Sequence, residues 1–154
     1  MKIYLAGPCD SEHRTQMVAI ANWLRHEPNF EVYCPWELKI ENAWNLTQED
    51  WGAEVFWNDI QAINTCDIFL MISTGRKSTA GTNWEQGYAY AKNKKVYVIQ
   101  TTDKSTSLMT FCGCSHFWYT NDEEIYDTIK QIIEVILDPS LLLYSHKYCE
   151  TILT

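Results

Sequence analysis

Asp67-Ile68-Phe69-Leu70-Met71-Ile72-Ser73 is the stretch that decides the fold. Its apolar run is too short for an ordinary helix and shows no apolar/polar alternation. A strand with one wet face alternates, so an unbroken run marks a strand covered on both faces. Strands of that kind belong to parallel sheets, whose crossover connections lay helices on both sides. The flanking sequence must then read as strands alternating with helices.

Working outward, it does. Upstream, residues 2–6 are apolar and β-prone, and Gly7-Pro8 closes them. Residues 11–26 read as a helix with Met17, Ile20, Ala21 and Leu24 as its buried stripe. A short strand over 30–34 ends at Pro35, and an irregular loop over 35–46 carries Trp36 and Trp44. Residues 47–64 form the next helix, with Phe56, Ile60 and Ile63 as one ridge. Downstream, 74–80 is a polar loop, and 82–93 a helix packed through Gly87, Ala89 and Ala91. Strands follow over 95–100 and 116–119. Thr120-Asn121-Asp122-Glu123 reads as a capping box opening a last helix, whose Ile125, Ile129, Ile132, Ile133 and Ile136 recur at helical spacing up to Leu137. The expected fold is of the α/β class: a doubly wound, flavodoxin-like parallel sheet of about five strands with helices on both faces, over 1–137. Residues 138–154 form a tail with room for one more short helix. Ligands in such sheets bind beyond the carboxyl ends of the strands, which points to the loops 7–14, 35–46 and 74–85.

Bulk properties narrow the function. The 154 residues fit one domain with one sizeable core. A net charge of −8 repels phosphate backbones and argues against a nucleic-acid polymer as partner. No apolar run approaches a membrane span, and the apolar opening is too short for a signal peptide, so a cytoplasmic protein without a membrane partner is expected. The six cysteines are then expected as free, buried thiols. Cys112-Gly113-Cys114-Ser115-His116 lacks the second ligand pair of a structural zinc site, so no metal is expected. Aromatic residues make up 14%, with seven Trp, a surplus that suits a pocket for a flat ligand, a subunit interface or the core.

Two carboxylates stand out. In Gly81-Thr82-Asn83-Trp84-Glu85-Gln86-Gly87-Tyr88-Ala89 a glycine turn leads into a helix with Glu85 in its expected first turn. Thr82 and Glu85 fit a capping box, S/T-x-x-E. Equally, a helix N-terminus favours an ionised carboxylate, and one facing a pocket can attack an anomeric carbon. Asp59 sits near the end of a helix, where the helix dipole disfavours it, and reads either as a solvated side chain or as a functional one. Tyr4 is either a core tyrosine or a hydroxyl that orients a carboxylate. Gly75-Arg76-Lys77-Ser78 ends like a phosphate loop, but the glycine the full pattern needs is Leu70, so an exposed basic loop is the better reading.

Together these pieces resemble the nucleoside 2-deoxyribosyltransferase family. The resemblance rests on Lys2-Ile3-Tyr4-Leu5-Ala6-Gly7-Pro8; on Asn58-Asp59-Ile60 followed by Ile63 and Asp67-Ile68; on Gly81-Thr82, Trp84-Glu85 and Gly87-Tyr88-Ala89; and on Ser107-Leu108-Met109. It implies Glu85 as nucleophile, Asp59 as the ligand of the sugar hydroxyls and Tyr4 as the group that orients Glu85. Gly7, Pro8, Trp36, Thr79, Gly81 and Ser107 are the expected substrate-binding positions, with Trp36 or Trp44 stacking on the base. No cofactor is implied. The implied partners are nucleosides or nucleotides and free nucleobases, and a homo-oligomer, dimer or larger, whose neighbouring subunit completes each site. Thr79 and Ser107 stand where the transferases carry Asp and Asn. Hydroxyls there are similar to the related deoxynucleotide N-hydrolases, which accept a 5′-phosphate. The leading expectation is exchange of nucleobases on 2′-deoxyribose through a glycosyl-Glu85 intermediate. The alternatives are hydrolysis of a 2′-deoxynucleoside 5′-monophosphate and a non-catalytic nucleotide-binding domain.

Overall fold

The structure is a computed structural model, and the residues it describes are 1–74, 80–102 and 107–144. The basic loop 75–78, Thr79 and the tail beyond 144 lie outside the described residues. Five strands, β1 (Lys2–Ala6), β2 (Glu31–Tyr33), β3 (Ile68–Ser73), β4 (Lys95–Gln100) and β5 (His116–Tyr119), form one sheet in the order β2-β1-β3-β4-β5. Every pairing is parallel. The stretch 68–73 is the central strand, and all six of its residues are buried. This is the doubly wound arrangement read from the sequence.

The helices are α1 (Arg14–Leu24), α2 (Gln48–Thr65), α3 (Ala80–Ala91), α4 (Leu108–Cys112) and α5 (Ile125–Leu137). Alternation along the strands splits the core in two. Ile3 and Leu5 of β1 face α1 and α5, packing with Met17, Ile20, Leu24 and Ile129. Tyr4 and Ala6 face the other way, with Phe69, Met71, Ile63 of α2 and Ala89 of α3. Among the described residues no helix is long and apolar enough to cross a membrane.

Several boundaries differ from the sequence reading, each for a local reason. The first helix starts at Arg14, not 11, because Asp10 accepts the backbone N–H of His13 at 3.1 Å and closes a turn first. Thr47 lies outside α2 as its cap, accepting from the Asp50 N–H at 3.1 Å. The loop 35–46 contains two 3-10 turns, Pro35–Glu37 and Ala43–Asn45. The helix expected from 82 begins at Ala80 and stops at Ala91, and Asn93 beyond it turns the chain at φ 56°. Before α5 the capping oxygen belongs to Asn121, which accepts from the N–H groups of Glu123 and Glu124, both at 2.9 Å. Thr120, expected in that role, instead accepts from the Thr128 hydroxyl at 2.8 Å. The short helix α4 was absent from the sequence reading; Ser107 caps it, accepting from Met109 N–H. After α5 a 3-10 turn spans Pro139–Tyr144.

Candidate active site

The order β2-β1-β3 makes the carboxyl ends of β1 and β3 the place where the connections diverge, and a crevice opens there. The loop after β1 forms one wall, and Thr82 near the start of α3 joins it across the crevice, donating its hydroxyl to the Gly7 carbonyl at 2.8 Å. That contact decides between two roles for Thr82. It is the third residue of α3 and buried, so it does not cap the helix, and the capping-box reading of Thr82 and Glu85 is overturned.

Glu85 is consequently the sixth helical residue, and the first turn of α3 holds no acidic residue. The benefit of the helix dipole fades within that turn, so burial decides the state of the carboxyl. Desolvation first, and the nearby Asp59 second, push its pKa up to about 8, with Tyr4 pulling the other way. Burial thus favours the protonated form of Glu85 in the free protein, opposite in direction to the effect expected of a helix end.

Asp59 projects from α2 into the same cavity. It lies six residues before the last helical residue, Thr65, rather than in the last turn. Burial raises its pKa, and a hydrogen bond from Tyr33 opposes the rise. That bond runs from the Tyr33 hydroxyl to Asp59 Oδ1 at 2.7 Å. Tyr4 lies beneath, at 0% exposure, with its hydroxyl short of good hydrogen-bond geometry to any group among the described residues. The Glu85 carboxylate is nonetheless within its influence.

The cavity measures about 450 Å³, room for a nucleoside. Glu85 and Asp59 stand against a largely apolar wall that includes Trp36, Leu38, Ile40, Trp51 and Val55. Trp36 is fixed by its indole N–H, which donates to the Pro8 carbonyl at 3.0 Å. Arg14 also lines the cavity, with its guanidinium 5.7 Å from the centre of the Trp36 ring. Gly7 and Pro8 thus serve through their carbonyls, holding Thr82 and Trp36. Trp44 is 81% exposed and outside the cavity lining. Gly81 is exposed in the first turn of α3, with open space where a Cβ would be. Ser107 lies elsewhere, in a separate cavity between α3 and α4 beside Asn83, Gln86 and Tyr90. Thr79 lies outside the described residues.

Sequence reasoning missed Tyr33, Trp51 and Val55. Tyr33 had a signal: Glu31-Val32-Tyr33 repeats the charged, aliphatic, Tyr order of Lys2-Ile3-Tyr4, and the two strands pair in that register. Among the described cysteines all are free, but only Cys34 and Cys66 are buried, while Cys9 and Cys112 are exposed. Cys114 donates to the Phe111 carbonyl at 3.0 Å. Among the described residues, Asp10, Glu12 and His13 bring three candidate metal-ligand atoms within 4.8 Å of one another. His13 Nδ1 and Asp10 Oδ1 are already hydrogen-bonded at 2.6 Å, which suits a brace for the first loop.

A family model described as nucleoside 2-deoxyribosyltransferase matches residues 3–116. A 2-deoxyribosyltransferase from the psychrotolerant bacterium Bacillus psychrosaccharolyticus is 29% identical, with a TM-score of 0.68, covering 79% of this chain and 87% of that one. The CMP N-glycosidase of Clostridium botulinum is 18% identical with a TM-score of 0.57, over 82% of this chain and 95% of that one. A conserved protein of Enterococcus faecalis V583 is 19% identical with a TM-score of 0.56, over 85% and 98%. The last two are likenesses of fold. No curated protein sequence matches the chain.

Proposed function

Because the chain belongs to the nucleoside 2-deoxyribosyltransferase family, whose chemistry is at N-glycosidic bonds, we propose that it exchanges nucleobases on 2′-deoxyribose with Glu85 as nucleophile. The observation that carries this reading is the meeting of Glu85 and Asp59, from two different helices, in one cavity of nucleoside size with an indole wall. The sugar lies at the carboxylates, where Asp59 accepts from its hydroxyls. The base lies along Trp36. A Glu85 carboxylate oxygen attacks C1′ as the bond from C1′ to the base nitrogen breaks, through an oxocarbenium-like transition state. The electron pair leaves with the base nitrogen, which takes up a proton. The sugar remains as an ester on Glu85. A nitrogen of a second nucleobase then attacks C1′ as the ester bond to Glu85 breaks and frees the carboxylate, and the incoming nitrogen gives up its proton, balancing the one taken up by the first base.

Burial suits this sequence of events. A poorly solvated carboxylate is a better nucleophile than one wrapped in water, and the developing positive charge on the sugar favours its ionised form. The reading includes a cytoplasmic location and a homo-oligomer in which a neighbouring copy completes each site. Ser107, outside the Glu85 cavity of its own chain, is the residue such a copy would bring.

The test is incubation with a 2′-deoxynucleoside in the presence and absence of a different free nucleobase, followed by chromatography. Base exchange is the expected result. The hydroxyls at Thr79 and Ser107 make a 2′-deoxynucleoside 5′-monophosphate the competing substrate. Release of base and deoxyribose 5-phosphate without exchange would replace transfer by hydrolysis. No reaction with either substrate would leave a non-catalytic binding domain.

A further inference from the structure

Tyr33 and Tyr4 face each other across β2 and β1, and Tyr4 faces Phe69 across β1 and β3. Neighbours in register on one face of a parallel sheet are one strand spacing apart, close enough for rings to stack. Here they do: the Tyr33 and Tyr4 centroids are 5.4 Å apart with planes 21° from parallel, and those of Tyr4 and Phe69 are 5.3 Å apart at 7°. The result is a three-ring rung on the α2/α3 face of the sheet. Tyr4 and Phe69 are both at 0% exposure. A rung of three hydrocarbon rings would pack as well, yet the first two carry hydroxyls. Tyr33 donates to Asp59 on α2 at 2.7 Å, and Tyr4 reaches toward Glu85 on α3.

We infer that Tyr33 is a positioning residue, which locks the Asp59 carboxylate against the aromatic rung so that one of its oxygens stays free for the substrate. The inference rests on the reading of Asp59 as the sugar-binding carboxylate. Tyr33 takes Oδ1, so the side-chain rotamer is fixed and Oδ2 remains to accept from a sugar hydroxyl. The same bond favours the ionised form of Asp59 against its burial. Because Tyr33 stacks on Tyr4, and Tyr4 on Phe69, the bond references the Asp59 carboxylate to the strands rather than to α2 alone.

Tyr33→Phe keeps the stacked ring and removes only the donor. Loss of a hydrogen bond to a charged group is expected to lower kcat/KM about tenfold. The acid limb of the pH profile attributable to Asp59 is expected to move to higher pH, because the carboxylate has lost a donor. The double variant Tyr33→Phe/Asp59→Asn is expected to be no slower than Asp59→Asn alone, since Tyr33 acts through Asp59. A role confined to packing would give additive losses and an unmoved pH profile. The inactivity-proof readout is the Asp59 carboxyl titration followed by carbon NMR in wild type and Tyr33→Phe. An upward shift in the variant supports the inference even if the wild type processes no deoxynucleoside, an outcome that would sink the functional reading alone. An unshifted titration, or additive losses in an active enzyme, overturns it.

Discussion

At the scale of the residue, Glu85 carries the largest tension between stability and chemistry. Its carboxyl, pushed up to about 8 by burial and by Asp59, binds a proton more tightly in the folded chain than in the unfolded one. Folding stability attributable to this group is therefore intact below the ordinary glutamate range, falls as pH rises above it, and levels off past about 8. Glu85→Gln removes that penalty. Denaturant titrations should show the variant gaining on wild type between pH 5 and 8, by roughly 2–4 kcal/mol at the upper end, while turnover is lost. A variant that stays active, or a stability difference independent of pH, would contradict the assignment. The wild-type kcat/KM reports ionisation of the free enzyme, so it should rise with pH toward a limb near 8. A limb in the ordinary carboxylate range would mean that Glu85 is better solvated than its surroundings imply. That Glu85 deserved notice was legible here, and the state of its carboxyl was not. The pattern Trp84-Glu85 with Gly87-Tyr88-Ala89 marked Glu85 as the proposed nucleophile, but its ionisation depends on burial and on Asp59, which no local pattern encodes.

At the scale of the element, unbroken or periodic apolar runs were readable because burial on both faces leaves a composition no exposed segment can carry. That is why the central strand, the stripe of α1 and the isoleucines of α5 were found. Helix ends were harder, since an end is set by whichever polar group happens to be in reach. Thr82 looked like a cap until the Gly7 carbonyl, 75 residues away in sequence, claimed its hydroxyl. The short α4 had no apolar period to display, and its anchor is a side chain on another helix. The Gln86 amide, buried at 3% exposure, donates to the carbonyls of Thr110 at 2.8 Å and of Gly113 at 3.1 Å. Gln86→Leu would keep the volume and strand both acceptors. A buried carbonyl left unpaired costs about 1–3 kcal/mol, so the melting temperature should fall by several degrees, with hydrogen exchange quickening first in α4. An unchanged melting temperature would show that water reaches those carbonyls and that the amide does not hold α4 to α3.

At the scale of the whole molecule, the aromatic surplus goes to the cavity, to the core and to an exposed patch. Trp36 and Trp51 line the cavity, and Trp118 is buried in the core. Phe56, Trp57 and Trp84 are 43%, 59% and 51% exposed. They are not scattered. Phe56 lies 5.3 Å from Trp57 and 5.7 Å from Trp84, and Trp84 stacks on Tyr88 at 5.5 Å, so α2 and α3 share one continuous aromatic surface. Scattered apolar side chains are ordinary on a protein surface, whereas a contiguous patch marks a place where another surface sits. The patch lies on the two helices that deliver Asp59 and Glu85, and Leu108 and Met109 next to Ser107 are exposed as well, at 68% and 83%. An assembly through this face would join the subunit contact directly to the site, as the proposed homo-oligomer requires. Sedimentation should then give a mass of at least two chains, and Trp57→Lys, which places a charge in the patch without touching the cavity lining, should lower that mass toward one chain and reduce turnover with it. A wild type that sediments as a single chain at every concentration, or a Trp57→Lys protein of unchanged mass, would remove this face from the assembly. A monomeric Trp57→Lys protein with full turnover would instead show that each site is complete within one chain and that Ser107 takes no part in it.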